Sequence, residues 1–405
     1  MFVKQIKSYL TTINFPCDLN QLPASTYLVG GSVRDALLQR SKNPIDLDVV
    51  LPTKAIQTAQ DIAHRYQAGF VILDEAREIA RVVFKQGTLD IALQVGESIL
   101  TDLQRRDFTI NAIAYNFQSQ SLVDPYGGLV DLEQGIIRMV DPVNLDDDPL
   151  RLLRAYRQAA QLKFTVEADT RKAIRDRSYL LKKIAAERVQ AELNYLFTTP
   201  QGNQWLAAAT EDGLLQVWLP SLNQAKIDQL EAVEEAVETC LNLGLKQPEF
   251  LLLAKLATLV AAEATTAETE LTQLKYSRTQ IKAVTKTVQY LPQLQVMTEI
   301  MSLREQYFWF LAVKDTFPVL IARAIATGVA KQFIIPLIQR YLDPADPVAH
   351  PQPLVTGADL IRELNLNPSP LIGKLLTEIQ LAYIEAKIFT PEQALEFANF
   401  LIANS

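Results

Sequence analysis

Asp46 and Asp48 stand one residue apart in Pro44-Ile45-Asp46-Leu47-Asp48-Val49-Val50. A strand puts residues i and i+2 on one face, so both carboxylates point one way while Ile45, Leu47 and Val49 point into a core. Two carboxylates side by side suit two divalent cations, the arrangement used for in-line phosphoryl and nucleotidyl transfer. Magnesium is the natural ion, because it prefers carboxylate and substrate phosphate oxygens. Just upstream, Tyr27-Leu28-Val29 runs into Gly30-Gly31-Ser32-Val33-Arg34-Asp35. The glycines permit a tight turn and close backbone approach. Ser32 is placed to cap a following helix, with Asp35 three residues on in a box-like position. The backbone N–H groups of that turn make an anion site, and Arg34 adds a guanidinium fork suited to phosphate. A Gly-Gly turn or an acidic pair alone is commonplace; the two in this order are far more specific.

Three further constellations follow. Asp90, in Thr88-Leu89-Asp90-Ile91-Ala92, completes a carboxylate triad if its strand neighbours that of Asp46 and Asp48, and is otherwise one polar residue on a half-exposed strand. Arg105-Arg106-Asp107 precedes Thr109-Ile110-Asn111-Ala112, which reads as the start of an apolar helix. Arginines at a helix start oppose the dipole unless a triphosphate shares the site, and Asp107 is placed to accept from a ribose hydroxyl. In Asp148-Pro149-Leu150-Arg151-Leu152-Leu153-Arg154-Ala155-Tyr156-Arg157, Pro149 suits the first helical position and Asp148 the cap. Arg151, Arg154 and Arg157 then share one face. The plain reading is a capped helix with a basic stripe. The sharper one is a base-reading pair: a carboxylate accepts from the exocyclic amine of cytosine or adenine, and a guanidinium donates to the adjacent ring nitrogen. Guanine and uracil reverse both polarities, so buried groups would be left unpaired.

The elements that must position these residues divide along the chain. Residues 1 to about 140 mix helices with candidate strands at Tyr27–Val29, Ile45–Leu51, Phe70–Leu73, Ala80–Lys85, Thr88–Leu93 and Ile136–Met139. Gln86-Gly87 joins two of them as a hairpin would. Beyond Pro149 the apolar spacing is almost wholly helical, broken near 200–203, 246–248 and 343–353. The 405 residues imply several domains. Two cysteines and two histidines exclude a disulfide framework, a zinc site and His-rich phosphohydrolase centres, and fit a reducing cytoplasm. No apolar run reaches the length of a membrane span. Net charge is −7, but residues 151–200 carry eleven Lys/Arg against five Asp/Glu, a local basic face able to meet RNA.

The order of Gly30-Gly31-Ser32-Val33-Arg34-Asp35, Asp46-x-Asp48, Arg105-Arg106-Asp107-Phe108-Thr109, Asp124-Pro125-Tyr126-Gly127-Gly128 and Asp148-x-x-Arg151 resembles the class II tRNA nucleotidyltransferases and bacterial poly(A) polymerases. Glu187-Arg188-Val189-Gln190-Ala191-Glu192-Leu193 resembles their next helical motif. The resemblance implies an α+β fold. A small nucleotidyltransferase-type mixed β-sheet head (residues 1–140) would precede an all-α neck (141–200), body (201–345) and tRNA-binding tail (346–405). It implies building of the tRNA 3′ end from CTP and ATP, with Mg2+ and pyrophosphate release. It carries triphosphate contacts onto Gly30, Gly31, Arg34 and Arg106, metal ligation onto Asp46 and Asp48, and the incoming nucleotide onto Asp107, Asp148, Arg151, Arg154 and Arg157. Asp90 joins Asp46 and Asp48 in the catalytic set.

Three departures matter. Asp147 stands where the base-reading motif usually has glutamate, and Asn367-Pro368-Ser369-Pro370 lacks the usual glycine. The segment between Asp90 and Arg105 is short, where members that build the whole CCA end carry a longer flexible loop. That favours an enzyme that adds the two cytidines and leaves the final A to a separate A-adding partner. Two alternatives are a poly(A) polymerase, disfavoured by the acidic Asp74-Glu75 where that branch is basic, and a non-catalytic RNA-binding relative, disfavoured because both Asp46 and Asp48 are present.

Overall fold

The computed structural model describes residues 1–40 and 44–404. It forms two compact units, Met1–Val217 and Trp218–Ser405. Among the described residues the first holds nine strands: β1 (Tyr27–Val29), β2 (Ile45–Leu51), β3 (Gly69–Asp74), β4 (Ile79–Val83), β5 (Gly87–Leu93), β6 (Ala114–Asn116), β7 (Ser121–Val123), β8 (Ile136–Ile137) and β9 (Thr165–Val166). Seven make a mixed sheet in the order β3-β4-β5-β2-β1-β6-β7, and β8 pairs with β9. Within the large sheet β2 and β5 run parallel and the other neighbours antiparallel.

A parallel pair needs a crossover. Here the chain leaves β2 through the Ala55–Tyr66 helix, returns as the β3–β4 hairpin, and enters β5. The helix buries Ala55, Ala59, Ile62 and Ala63, one stripe at three- and four-residue spacing, on the sheet. Leu47, Val49, Leu89 and Ile91 are at most 1% exposed, so the inward half of the β2 and β5 alternation is core and the outward half is free for chemistry. The hairpin expected at Gln86-Gly87 forms, with β4 and β5 in antiparallel register.

Two local expectations differ. No helix begins at Thr109: Thr109–Asn111 is a single 3-10 turn, followed by β6. Ile110, Ala112, Ile113 and Ala114 are all fully buried, and a short apolar run buried on both faces has no period to tell strand from helix. Ser32 does not cap its helix. The Gly31–Leu37 helix has Gly30 at its N-cap, with φ +67°, ψ −139°, and no side-chain cap.

The second unit is helical. Leu230–Asn242, Phe250–Leu259, Arg278–Gln295 and Phe317–Ala326 bury apolar stripes together. Capping boxes at Ser277/Gln280 and Ser302/Glu305 fix two helix starts. Val355, Leu360, Ile372, Leu375 and Ile379 form a further apolar cluster toward the C-terminus. Among the described residues no single helix is long and apolar enough to cross a membrane.

Candidate active site

The register of two parallel strands builds the acidic centre. Asp46 lies opposite Thr88 and Asp48 opposite Asp90. Asp46 and Asp48 are exposed while Leu47 between them is buried, as the alternation requires. The Thr88 hydroxyl donates to Asp46 Oδ1. Ser32, freed from capping, works here instead: its Oγ accepts from the Asp48 N–H at 2.9 Å and contacts Asp48 Oδ2 at 3.3 Å. The glycine-turn helix is thereby tied to the acidic strand.

Asp48 keeps the accessible area of an exposed residue, yet protein atoms crowd its carboxylate. Desolvation, then the Asp90 charge, hold its carboxyl above the usual range, with Arg106 and the Ser32 hydrogen bond pulling the other way. Crowded like charges are relieved by a cation. The donor set fits a hard divalent ion that completes its shell with phosphate and water. Among the described residues no cluster of three or more His, Cys, Asp or Glu forms a protein-only metal cage. Asp90 reaches the triad position but is engaged. Arg81, its cross-strand neighbour on β4, grips it bidentately at 2.7 and 2.8 Å.

Arg105 and Arg106 follow the Ile99–Gln104 helix, with Arg105 at its C-cap. They therefore sit at the end that favours cations, not at a helix start. Both converge on Asp102, fully buried, with Arg105 Nη2 to Oδ1 at 3.0 Å and Arg106 Nη2 to Oδ2 at 2.8 Å. Burial alone would raise the Asp102 carboxyl, but the Arg106 and Arg105 charges hold it below the usual range. Arg106 spends Nε and Nη2 on Asp102 and turns Nη1 toward Gly30, where a Cβ would come within 3.0 Å of it. The glycine leaves the room that this guanidinium occupies. Asp102 was not singled out in the sequence, although its i, i+3 and i, i+4 spacing to the two arginines was readable.

Arg34 and Asp107 are built in more deeply than expected. Arg34, 9% exposed, donates to Asp35 Oδ1 at 3.0 Å, Asn111 Oδ1 at 2.8 Å and Gln158 Oε1 at 3.2 Å. Asp107 accepts at Oδ1 from Phe108 N–H and Asn111, and at Oδ2 from Arg154 at 2.9 Å. Burial opposes ionisation, but Arg154, Asn111 and Arg151 hold the Asp107 carboxyl well below the usual carboxylate range. Instead of waiting for a ribose, its carboxylate is satisfied within the protein.

Asp148 precedes the Leu150–Leu162 helix and accepts from Leu150 N–H at 3.3 Å, so it serves the helix start although Pro149 is the N-cap. Its Oδ2 accepts from Arg188 at 3.0 Å. Arg151 donates to the Arg105 and Asn144 carbonyls at 2.7 and 2.9 Å. Arg157 pairs with Glu192 and Gln161 and lies 5.8 Å from the Tyr195 ring centroid. Much of the expected basic face is likewise paired within the protein, although partly exposed: Arg171 and Arg175 pair with Asp212, and Arg177 with Asp146.

This mixed sheet, with an outward acidic pair beside a glycine turn and an arginine, is the head of a nucleotidyltransferase. Residues 26–95 and 92–138 match the poly(A) polymerase head domain. Residues 163–226 match the "Probable RNA and SrmB-binding site of polymerase A", and 247–398 match tRNA nucleotidyltransferase domain 2. The CC-adding tRNA nucleotidyltransferase of Synechocystis sp. is 49% identical over 398 residues, covering 95% of this chain and 96% of that one. The A-adding tRNA nucleotidyltransferase of Deinococcus radiodurans is 29% identical, covering 94% and 96%. A CCA-adding enzyme solved with CTP shares the fold, with a TM-score of 0.74 and 21% identity over 98% of this chain and 96% of that one. The chain belongs to the tRNA nucleotidyltransferase family.

Proposed function

We propose that this enzyme extends the tRNA 3′ end with cytidylate from CTP, adding two cytidines and leaving the terminal adenosine to a separate A-adding enzyme. The observation that carries the restriction to cytidine is the connection after β5. Only residues 94–98 separate β5 from the Ile99–Gln104 helix, and Val95 N–H is pinned to Asp102 Oδ1 at 3.1 Å. So short and anchored a link offers no flexible lever for reshaping the base pocket between CTP and ATP. The 49% identical relative named as CC-adding supports the same choice.

In this reading Asp46 and Asp48 hold Mg2+, which would supply charge neutralisation on the triphosphate and activation of the RNA 3′-hydroxyl. Arg106, oriented by Asp102, meets the triphosphate at the Gly30-Gly31 turn. Arg34 braces that turn from within and contributes charge more than free donors. Asp148 accepts from the cytosine amine and Arg151 donates to the ring nitrogen, while Arg154 and Arg157 hold the helix and the local positive field. Head and neck divide near residue 140, and body and tail near 345. Two buried free cysteines, Cys17 and Cys240, suit a reducing cytoplasm.

The test offers tRNAs ending before CCA, after C and after CC to the enzyme with CTP or ATP alone. Addition of cytidine to the first two and of nothing to the third is expected. AMP added to the third makes it a full CCA-adding enzyme, and untemplated runs of A make it a poly(A) polymerase.

A further inference from the structure

Two short rows cross the head sheet from β4 through β5 to β2. One is Arg81, Asp90, Asp48; the other is Val83, Thr88, Asp46. The first row is charged throughout. In the second, Asp46 has a neutral hydroxyl beside it and an apolar residue beyond. The Thr88 hydroxyl donates to Asp46 Oδ1, and among the described residues Asp46 Oδ2 has no protein partner.

The placement of Thr88 is fixed one residue upstream. Gly87 lies opposite Ile45. A Cβ at Gly87 would come within 2.1 Å of the Ile45 carbonyl oxygen, so only glycine lets the two strands close to that distance here. The Ile45 N–H also donates to the Gln86 carbonyl at 3.0 Å. A slip of one residue would turn Thr88 to the other face of the sheet. Being β-branched, Thr88 has few χ1 wells, so its hydroxyl has few directions open to it.

We infer that Thr88 is a positioning residue for Asp46: its hydroxyl engages Oδ1 and leaves Oδ2 as the oxygen offered to the cation. The inference rests on the proposal that Asp46 and Asp48 bind the divalent ion. The terminal torsion of an aspartate is broad, and a hydrogen bond to one oxygen narrows it before the ion arrives. Partners of this kind carry about 10–100-fold in metal affinity. A hydroxyl also differs from the cation in the neighbouring row. Arg81 takes both oxygens of Asp90, whereas Thr88 takes one oxygen of Asp46 and adds no charge against the ion. Ser32 meets Asp48 from the helix side through its N–H and Oδ2.

Thr88→Val keeps the shape and removes the hydroxyl; Thr88→Ser keeps the hydroxyl and drops the methyl. Mn2+ alone is titrated into the full chain, with free Mn2+ read by electron paramagnetic resonance, and Asp46→Ala defines the site. Thr88→Val should bind Mn2+ about tenfold more weakly than wild type, and Thr88→Ser should recover most of that loss. The Mg2+ concentration for half-maximal CMP incorporation should rise by the same factor in Thr88→Val, with KM for tRNA unmoved. The melting temperature without metal should stay near that of wild type, since threonine and valine both suit a strand. Equal or tighter Mn2+ binding by Thr88→Val, beside a wild type whose binding Asp46→Ala abolishes, overturns the inference and leaves the metal assignment standing. Wild-type Mn2+ binding that Asp46→Ala does not change would instead sink the metal assignment, and the inference with it.

Discussion

Asp90 lies in parallel register with Asp48, yet its carboxylate is gripped by Arg81 rather than turned toward a shared centre. One row across β4, β5 and β2 thus reads cation, anion, anion. The arginine partly neutralises the three carboxylates, and it engages Asp90 where Asp46 and Asp48 on β2 are left exposed.

Arg81→Ala should therefore tighten divalent binding, by several-fold, because a positive charge leaves the neighbourhood of three carboxylates. Calorimetric titration with Mn2+ measures this without turnover. Weaker binding in the variant would mean that Arg81 supports the centre sterically.

Asp148→Ala removes the acceptor proposed to read the cytosine amine. Loss of one buried polar match costs about 1–3 kcal/mol, so the preference for CTP over UTP should fall at least about fivefold. Arg188→Ala leaves the acceptor but frees it, and a smaller fall is expected. Competition between the two nucleotides on a tRNA ending before CCA reads both.

The Asp107–Arg154 pair should show in the acid limb of stability. The Asp107 carboxyl is depressed in the folded state, so its contribution is complete above the unfolded value near roughly pH 4 and is lost as pH falls through the folded one. Asp107→Ala, which takes an acceptor from Arg154 and Asn111 but leaves them Glu192 and Gln158, should cost about 1–3 kcal/mol at neutral pH, and the gap from wild type should narrow on acidification. Thermal melts from pH 7 to pH 3 provide the check. Asp48 has the opposite sign: its raised carboxyl makes metal-free stability decline as pH rises through that raised value.

The acidic strand was legible because period-two alternation over Ile45–Leu51 is long enough to have a phase. The three-residue strands Ala114–Asn116 and Ser121–Val123 were not, since so short a run carries no phase; Tyr27–Val29 is equally short, but the Gly30-Gly31 turn that ends it gave it away. Residue types at the site were readable, but their commitments were not. Asp107 looks available in sequence, and only the fold brings Arg154 across 47 residues to saturate it. Arg188 reaches Asp148 across 40. By contrast Arg81 and Asp90 are mirror positions about the 84–86 turn, so hairpin register alone would have paired them. Counting cations marked 151–200 as the basic face, because composition does not reveal which charges fold onto acids.

The most direct measurement follows one CMP into a tRNA ending before CCA, under single turnover, with Asp46→Ala and Asp48→Ala, alongside tRNA affinity by filter binding. If these two side chains grip the metal, incorporation disappears in both variants and tRNA affinity stays near that of wild type. Retained turnover with lost tRNA affinity would contradict the account.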